Sequence, residues 1–187
     1  REEYPDIYVV GECWSGDNEV IKYYGAMNCF NFTMSGAEGI IANAAKGLSL
    51  SNYTNYVVSH LKSIKGKNPD SMMMPFLSNH DINRISGAFF TDNNIKMAAS
   101  LLLLCSGSPV IYYGDEIGLR GSRGEELTDA NRRLAMRWGD SDLVKDPQGA
   151  CYPAKNQTTA TVKSQLEESN SILNHYAKLI SIRTKYP

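Results

Sequence analysis

The sequence has no long hydrophobic run. Its longest, Met97 to Cys105, is broken only by Ser100 and falls far short of the roughly 20 residues a membrane-spanning helix needs. No membrane span is expected. It also has no excess of charge, with 19 basic against 20 acidic side chains, and no stretch of Lys and Arg interleaved with aromatics. A nucleic-acid partner is therefore not expected. Cysteine is scarce: Cys13, Cys29, Cys105 and Cys151 are widely spaced with no CxxC pair, which excludes a disulfide scaffold and reads as mostly buried thiols. There is no internal repeat or low-complexity tract, and neither an initiator Met nor a charged-then-apolar leader stands at Arg1. The reading therefore expects a longer native chain.

What is present is the composition of a globular domain, since 42% apolar residues in a chain of 187 suffice for one hydrophobic core. Short β-branched or aromatic runs predict strands near residues 6 to 11, 28 to 32, 72 to 77 and 109 to 113. Helices are expected between them. Ser35-Gly36-Ala37-Glu38 has the capping-box pattern ahead of Ile40 and Ile41, with Gly47 as the stop. Val57, Val58, Leu61 and Ile64 mark one face of a helix from about Thr54 to before Gly66, and Ile95, Ala98, Ala99, Leu102 and Leu103 mark another from about Asn93. From Leu119 to about Glu168 the pattern is that of a long excursion loop with one short helical piece near Ala130 to Met136. A last helix starts at about Ser169, with a stripe of Ile172, Leu173, Tyr176, Leu179 and Ile180.

Strands alternating with helices mean parallel strands joined by crossovers, an α/β fold. Three of the four strands end in acidic or imidazole groups: Glu12 after the first, His80 and Asp81 after the third, Asp115 and Glu116 after the fourth. Reactive groups collected at strand C-termini favour a (β/α)8 barrel over an open sheet.

The residues at these strand ends resemble a known family. Val10-Gly11-Glu12-Cys13-Trp14 is similar to the fifth-strand motif of the alpha-amylase family, glycoside hydrolase family 13. Phe76-Leu77-Ser78-Asn79-His80-Asp81 is similar to its seventh-strand motif, and Gly107 to Gly118 to its eighth strand and following loop. Asn131 to Trp138 and Tyr176 to Arg183 resemble its downstream loop and last barrel helix. Taken in order, the motifs cover the chain from about residue 6 to Pro187.

The resemblance implies strands 5 to 8 of a (β/α)8 TIM barrel, the C-terminal half of the catalytic domain. It implies a retaining α-glycosidase of alpha-amylase type that hydrolyses α-1,4 bonds in starch or maltooligosaccharides. Glu12 takes the acid/base role, Asp81 stabilises the transition state without attacking, and His80, Asn79 and Trp14 bind sugar. An acid of this kind needs burial or nearby negative charge to hold its proton toward neutrality. Trp14 and Cys13 are expected to supply the apolar surroundings and Asp81 the like charge. The family's nucleophile, an Asp two residues after an Arg on the fourth strand, has no counterpart here. The N-terminal half of the barrel and the C-terminal β-sandwich are expected to be absent, and the fragment alone to be inactive for lack of a glycosyl-enzyme intermediate. Open barrel edges then predict a missing N-terminal half-barrel as partner, or self-association. No cofactor is expected in this fragment, and family calcium is bound largely by parts that lie elsewhere.

Other readings stand beside these. Trp14 serves equally as core filler, Tyr112 and Tyr113 should divide between packing and the cleft, and Asp115 and Glu116 either orient loops or touch sugar. Arg84 reads as a structural ion-pair partner, and His60 and His175 as surface or packing residues. A non-catalytic amylase-like module is a rival that retention of Glu12, His80 and Asp81 opposes. An α-1,6-glucosidase or glucan transferase of the same family is another. The size of starch points to an extracellular or cell-surface location, the free thiols to the cytoplasm as the alternative.

Overall fold

The computed structural model describes residues 3–4, 7–89, 91–124, 129–140 and 143–186. Asp6, where the first strand was expected to begin, lies outside them. Three strands, β1 (Val10–Gly11), β2 (Asn28–Asn31) and β3 (Met73–Pro75), pair in parallel in the order β1-β2-β3. Val10 faces Asn28, Cys29 faces Met73 and Asn31 faces Pro75. The expected fourth strand over 109 to 113 shrinks to one parallel bridge between Phe76 and Val110. Ser108 N donates to Met73 O and Val110 N to Pro75 O, and the chain then turns at Gly114 with φ 89°.

The crossovers are helical. Helix α1 (Asp17–Tyr23) joins β1 to β2, and α2 (Ile40–Ala45) and α3 (Leu50–Lys67) join β2 to β3. Helix α4 (Asp92–Leu103) follows β3, and α5 (Val162–Glu167) and α6 (Ile172–Lys185) close the chain. Thr91 and Ser171 cap α4 and α6 by accepting from the N–H of Asn94 and Asn174. The capping box expected at Ser35 does not form. Ser35 Oγ instead donates to Phe32 O, and α2 starts after Gly39. A Cβ on Gly39 would sit 2.1 Å from Ser35 O, so this tight entry selects glycine over a capping side chain. Helix α3 runs through Gly66, longer than expected at both ends. The helical piece expected near Ala130 is a 3-10 turn over Asp129–Arg132.

The core lies between one face of the sheet and the helices, with Tyr24, Ile41, Ile64, Met73, Leu77, Ala98, Leu102 and Tyr176 all buried. Ile180 of the expected α6 stripe is exposed. Arg183 locks α6 to α4 by donating 2.8 Å bonds from Nη1 to the carbonyls of Leu103 and Cys105, groups a helix C-terminus leaves without partners. His60 is a packing residue, as one of its two readings had it. Its ring stacks on Tyr56 and meets Tyr24 edge-on, and burial lowers its pKa while Asp17 opposes. Of the thiols, Cys29 and Cys105 are buried, Cys13 is partly covered and Cys151 is exposed. The expectation of mostly buried thiols thus holds for only two of the four.

Candidate active site

Strand pairing decides which side chains can meet. Val10 lies beside Asn28, Phe30 beside Met74 and Phe76 beside Val110. Since side chains alternate along a strand, Glu12, Phe30, Met74, Phe76, Val110 and Tyr112 share one face, while Cys29, Met73 and Leu77 share the other. The second set is buried under the helices. The first set, apart from Met74, lines a cavity of about 200 Å³ at the C-terminal ends of the strands together with Asn79 and His80. Residues from β1, β2 and β3, from the chain just beyond them and from the segment bridged at Val110 therefore converge on the face of the sheet opposite the helical core. That is the interior face when such a sheet closes into a barrel.

The floor of this site is aromatic. Phe30 and Phe32 both meet the edge of Phe76, at 5.7 and 5.0 Å between ring centroids, and Trp14 lies on Phe32 at 4.1 Å with 34° between planes. Trp14 remains 56% exposed, a broad apolar surface beside Glu12 rather than a core filler. One expectation is corrected here. Glu12 is exposed, and the Trp14 ring is held by Phe32 instead of covering the carboxylate.

His80 and Asp81 sit on the loop after β3. Asn79 shapes that loop, because its Oδ1 accepts from the backbone N–H of both Asp81 and Ile82 at 2.9 Å, the side-chain turn that Asn favours. The Asp81 carboxylate does not line the cavity. It lies 3.1 Å from His80 Nε2 and accepts from Arg133 Nη2 at 3.2 Å. Arg133 also donates to His80 O and Arg132 to Asp81 O, so a segment some 50 residues downstream holds both candidate groups. Both arginines belong to a motif visible in the sequence, but no spacing rule shows where a long excursion returns.

Behind the loop lies a buried charged pair. Arg84 and Asp115 are 2% and 1% exposed, with Arg84 Nη1 3.9 Å from Asp115 Oδ1. This agrees with Arg84 as a structural partner and places Asp115 away from any substrate. Tyr113 donates to Leu134 O, while Tyr112 reaches the cavity wall. Burial pushes the Tyr112 phenol up to about 12, with Tyr113 adding to the rise and Arg84 opposing it. Tyr112 therefore stays a donor, and it donates to Arg132 O at 3.3 Å. His175 is half-buried, 3.0 Å from Ser100 Oγ. No group of three or more His, Cys, Asp or Glu that could hold a metal occurs among the described residues.

Burial pushes Asp115 up to about 7, opposed by the Arg84 guanidinium and Ser78. Its folded value thus exceeds its unfolded value of 3.8, and between these the folded chain binds more protons than the unfolded one. The stability this group contributes is full below about pH 4 and is lost as pH rises through about 7. His60 runs the other way: its contribution is full above 6.5 and lost as pH falls. Urea titrations from pH 4 to 8 on the wild type and Asp115→Asn isolate the first effect, because His60 is common to both. The wild-type midpoint should fall relative to the variant across that range, and parallel curves would contradict this assignment.

A model of the alpha-amylase catalytic domain matches residues 1–187. The chain belongs to the alpha-amylase family. Alpha-amylase 3 of Dictyoglomus thermophilum is 33% identical over 97% of this chain and 36% of its own length. Alpha-amylase SusG of Bacteroides thetaiotaomicron is 31% identical over 97% of this chain and 26% of its own. Amy13B of Eubacterium rectale superposes on the whole chain with a TM-score of 0.88 at 35% identity, over 37% of that structure. More distant relatives carry the names oligo-1,6-glucosidase and 4-alpha-glucanotransferase. This alpha-amylase-family chain therefore spans about a third of the length of the relatives it matches. Its relatives are glycoside hydrolases and glucan transferases, and the α/β fold with its small parallel sheet is that of the family's barrel enzymes.

Proposed function

We propose that this chain is the C-terminal half, strands 5 to 8, of the catalytic barrel of a retaining α-glycosidase that hydrolyses α-1,4 bonds in starch or maltooligosaccharides. One observation carries the proposal: Glu12, Asn79 and His80 share a single cavity at the strand ends, on the face of the sheet opposite the helical core. That face is apolar and incompletely covered. Tyr8 is 55% exposed, and Val10 and Phe30 are only half-buried, which supports a further half-barrel as the partner that closes it.

In this reading Glu12 protonates the departing glycosidic oxygen while a carboxylate outside these 187 residues attacks the anomeric carbon. Glu12 then takes a proton from the water that releases the glycosyl group. Asp81 and His80 hold hydroxyls of the same sugar as its ring flattens, and their contacts strengthen as charge develops. Trp14 offers its open ring to the apolar face of a pyranose, and Asn79 sets the loop. A substrate of starch size favours an extracellular or cell-surface site of action. Calcium, if the whole enzyme uses it, is held by other parts of the chain.

An α-1,6-glucosidase or glucan transferase is the second reading, favoured by the more distant relatives of those names. A substrate panel separates the two. Maltooligosaccharides should be cleaved at least tenfold faster than isomaltooligosaccharides, with the first product released as the α-anomer. Faster cleavage of α-1,6 links, or dominant transfer at low substrate, would favour the alternative.

A further inference from the structure

The loop after β3, the segment carrying Tyr112 and the 129–133 turn meet on one buried side chain, Arg84. Arg84 follows Asp81 by three residues, and its backbone N–H donates to Gly121 O at 2.9 Å. Its Nη1 donates to Tyr113 O at 2.6 Å and its Nε to Arg132 O at 3.1 Å. The guanidinium lies 4.4 Å from the Tyr112 ring centroid and 4.6 Å from that of Tyr113. Arg132 in turn donates from Nη1 to Asp81 O at 2.6 Å. Arg84 is thus the shared contact of the Asp81 loop, the Tyr112 wall and the 129–133 turn.

Packing alone does not call for an arginine here. A well-packed apolar side chain is often as stable as a buried ion pair, and Asp115 sits at 3.9 Å rather than at hydrogen-bonding distance. What arginine adds is a rigid planar fork that bonds two carbonyls while stacking on two rings, a geometry lysine cannot copy. We propose that Arg84 is a positioning residue that fixes Asp81 and Tyr112 relative to Glu12. The proposal rests on the reading of Glu12 and Asp81 given above. A shift of about 1 Å in such a group is worth about a hundredfold in rate.

The test uses the enzyme carrying both barrel halves, with Arg84→Lys, the double variant Arg84→Met/Asp115→Asn, which leaves no unpaired charge, and Glu12→Gln alongside. kcat and KM on a maltooligosaccharide are read together with the melting temperature. Both Arg84 variants should fold and lose at least tenfold in kcat, with KM changed less than threefold and no rescue by lysine. Wild-type kcat in either folded variant overturns the proposal, as does failure of both to fold, which would make Arg84 a folding residue. Full activity in Glu12→Gln would instead overturn the underlying reading of the site.

Discussion

Glu12→Gln should lower kcat of the enzyme carrying both barrel halves by about a thousandfold, within the range general acid–base groups contribute. The amide keeps the shape of the side chain and loses the transferable proton. Because the substitution is isosteric and the side chain lines a cavity, no packing is disturbed, and the melting temperature should stay within about 2 °C of wild type. The substrate dependence of the loss is diagnostic. Activated aryl glycosides, which depart without protonation, should lose less than starch does. Steady-state kinetics on both substrates, with circular dichroism to show folding, checks this. Equal losses on both would mean that Glu12 does something other than protonate the leaving group.

Asp81→Asn carries the second largest effect. A group whose contact tightens only as the sugar approaches its transition state acts on kcat more than on KM. Loss of one such electrostatic contact costs about 10² to 10³ in rate. The side chain is 34% exposed and its partners His80 and Arg133 are more exposed still, so breaking the pair should change stability by less than about 1 kcal/mol. Kinetics should therefore show a collapse of kcat with a modest change in KM. A rise in KM alone would reassign Asp81 to ground-state binding.

The strand ends were legible in the sequence because each combines a short apolar run with polar groups at its C-terminus, and β1, β2 and β3 fall within the expected ranges. Helix α1 was not legible: it has seven residues and only Val20 buried, too little for a period to show. The start of α2 was misplaced because the steric demand at Gly39 outweighs the capping signal of Ser35. Within the candidate site, Glu12, Asn79 and His80 meet because parallel register is implied by the order of strands. The contacts of Asp81 with Arg133, and of Arg84 with Tyr113 and Arg132, join residues 29 to 52 positions apart across an irregular loop. No periodicity reports such contacts. The surroundings of Glu12 were misjudged for a related reason, since a sequence neighbour such as Trp14 need not be a spatial cover when Phe32 offers it a better stacking partner.

The central claim is that these 187 residues hold the acid/base but not the nucleophile. The most direct measurement is starch and maltooligosaccharide hydrolysis by the 187-residue chain alone and by the same chain preceded by the first four strands of its barrel. The account predicts no turnover by the first and turnover by the second, abolished by Glu12→Gln. Hydrolysis by the 187-residue chain on its own would mean that a nucleophile lies within this sequence, and would contradict the half-barrel account.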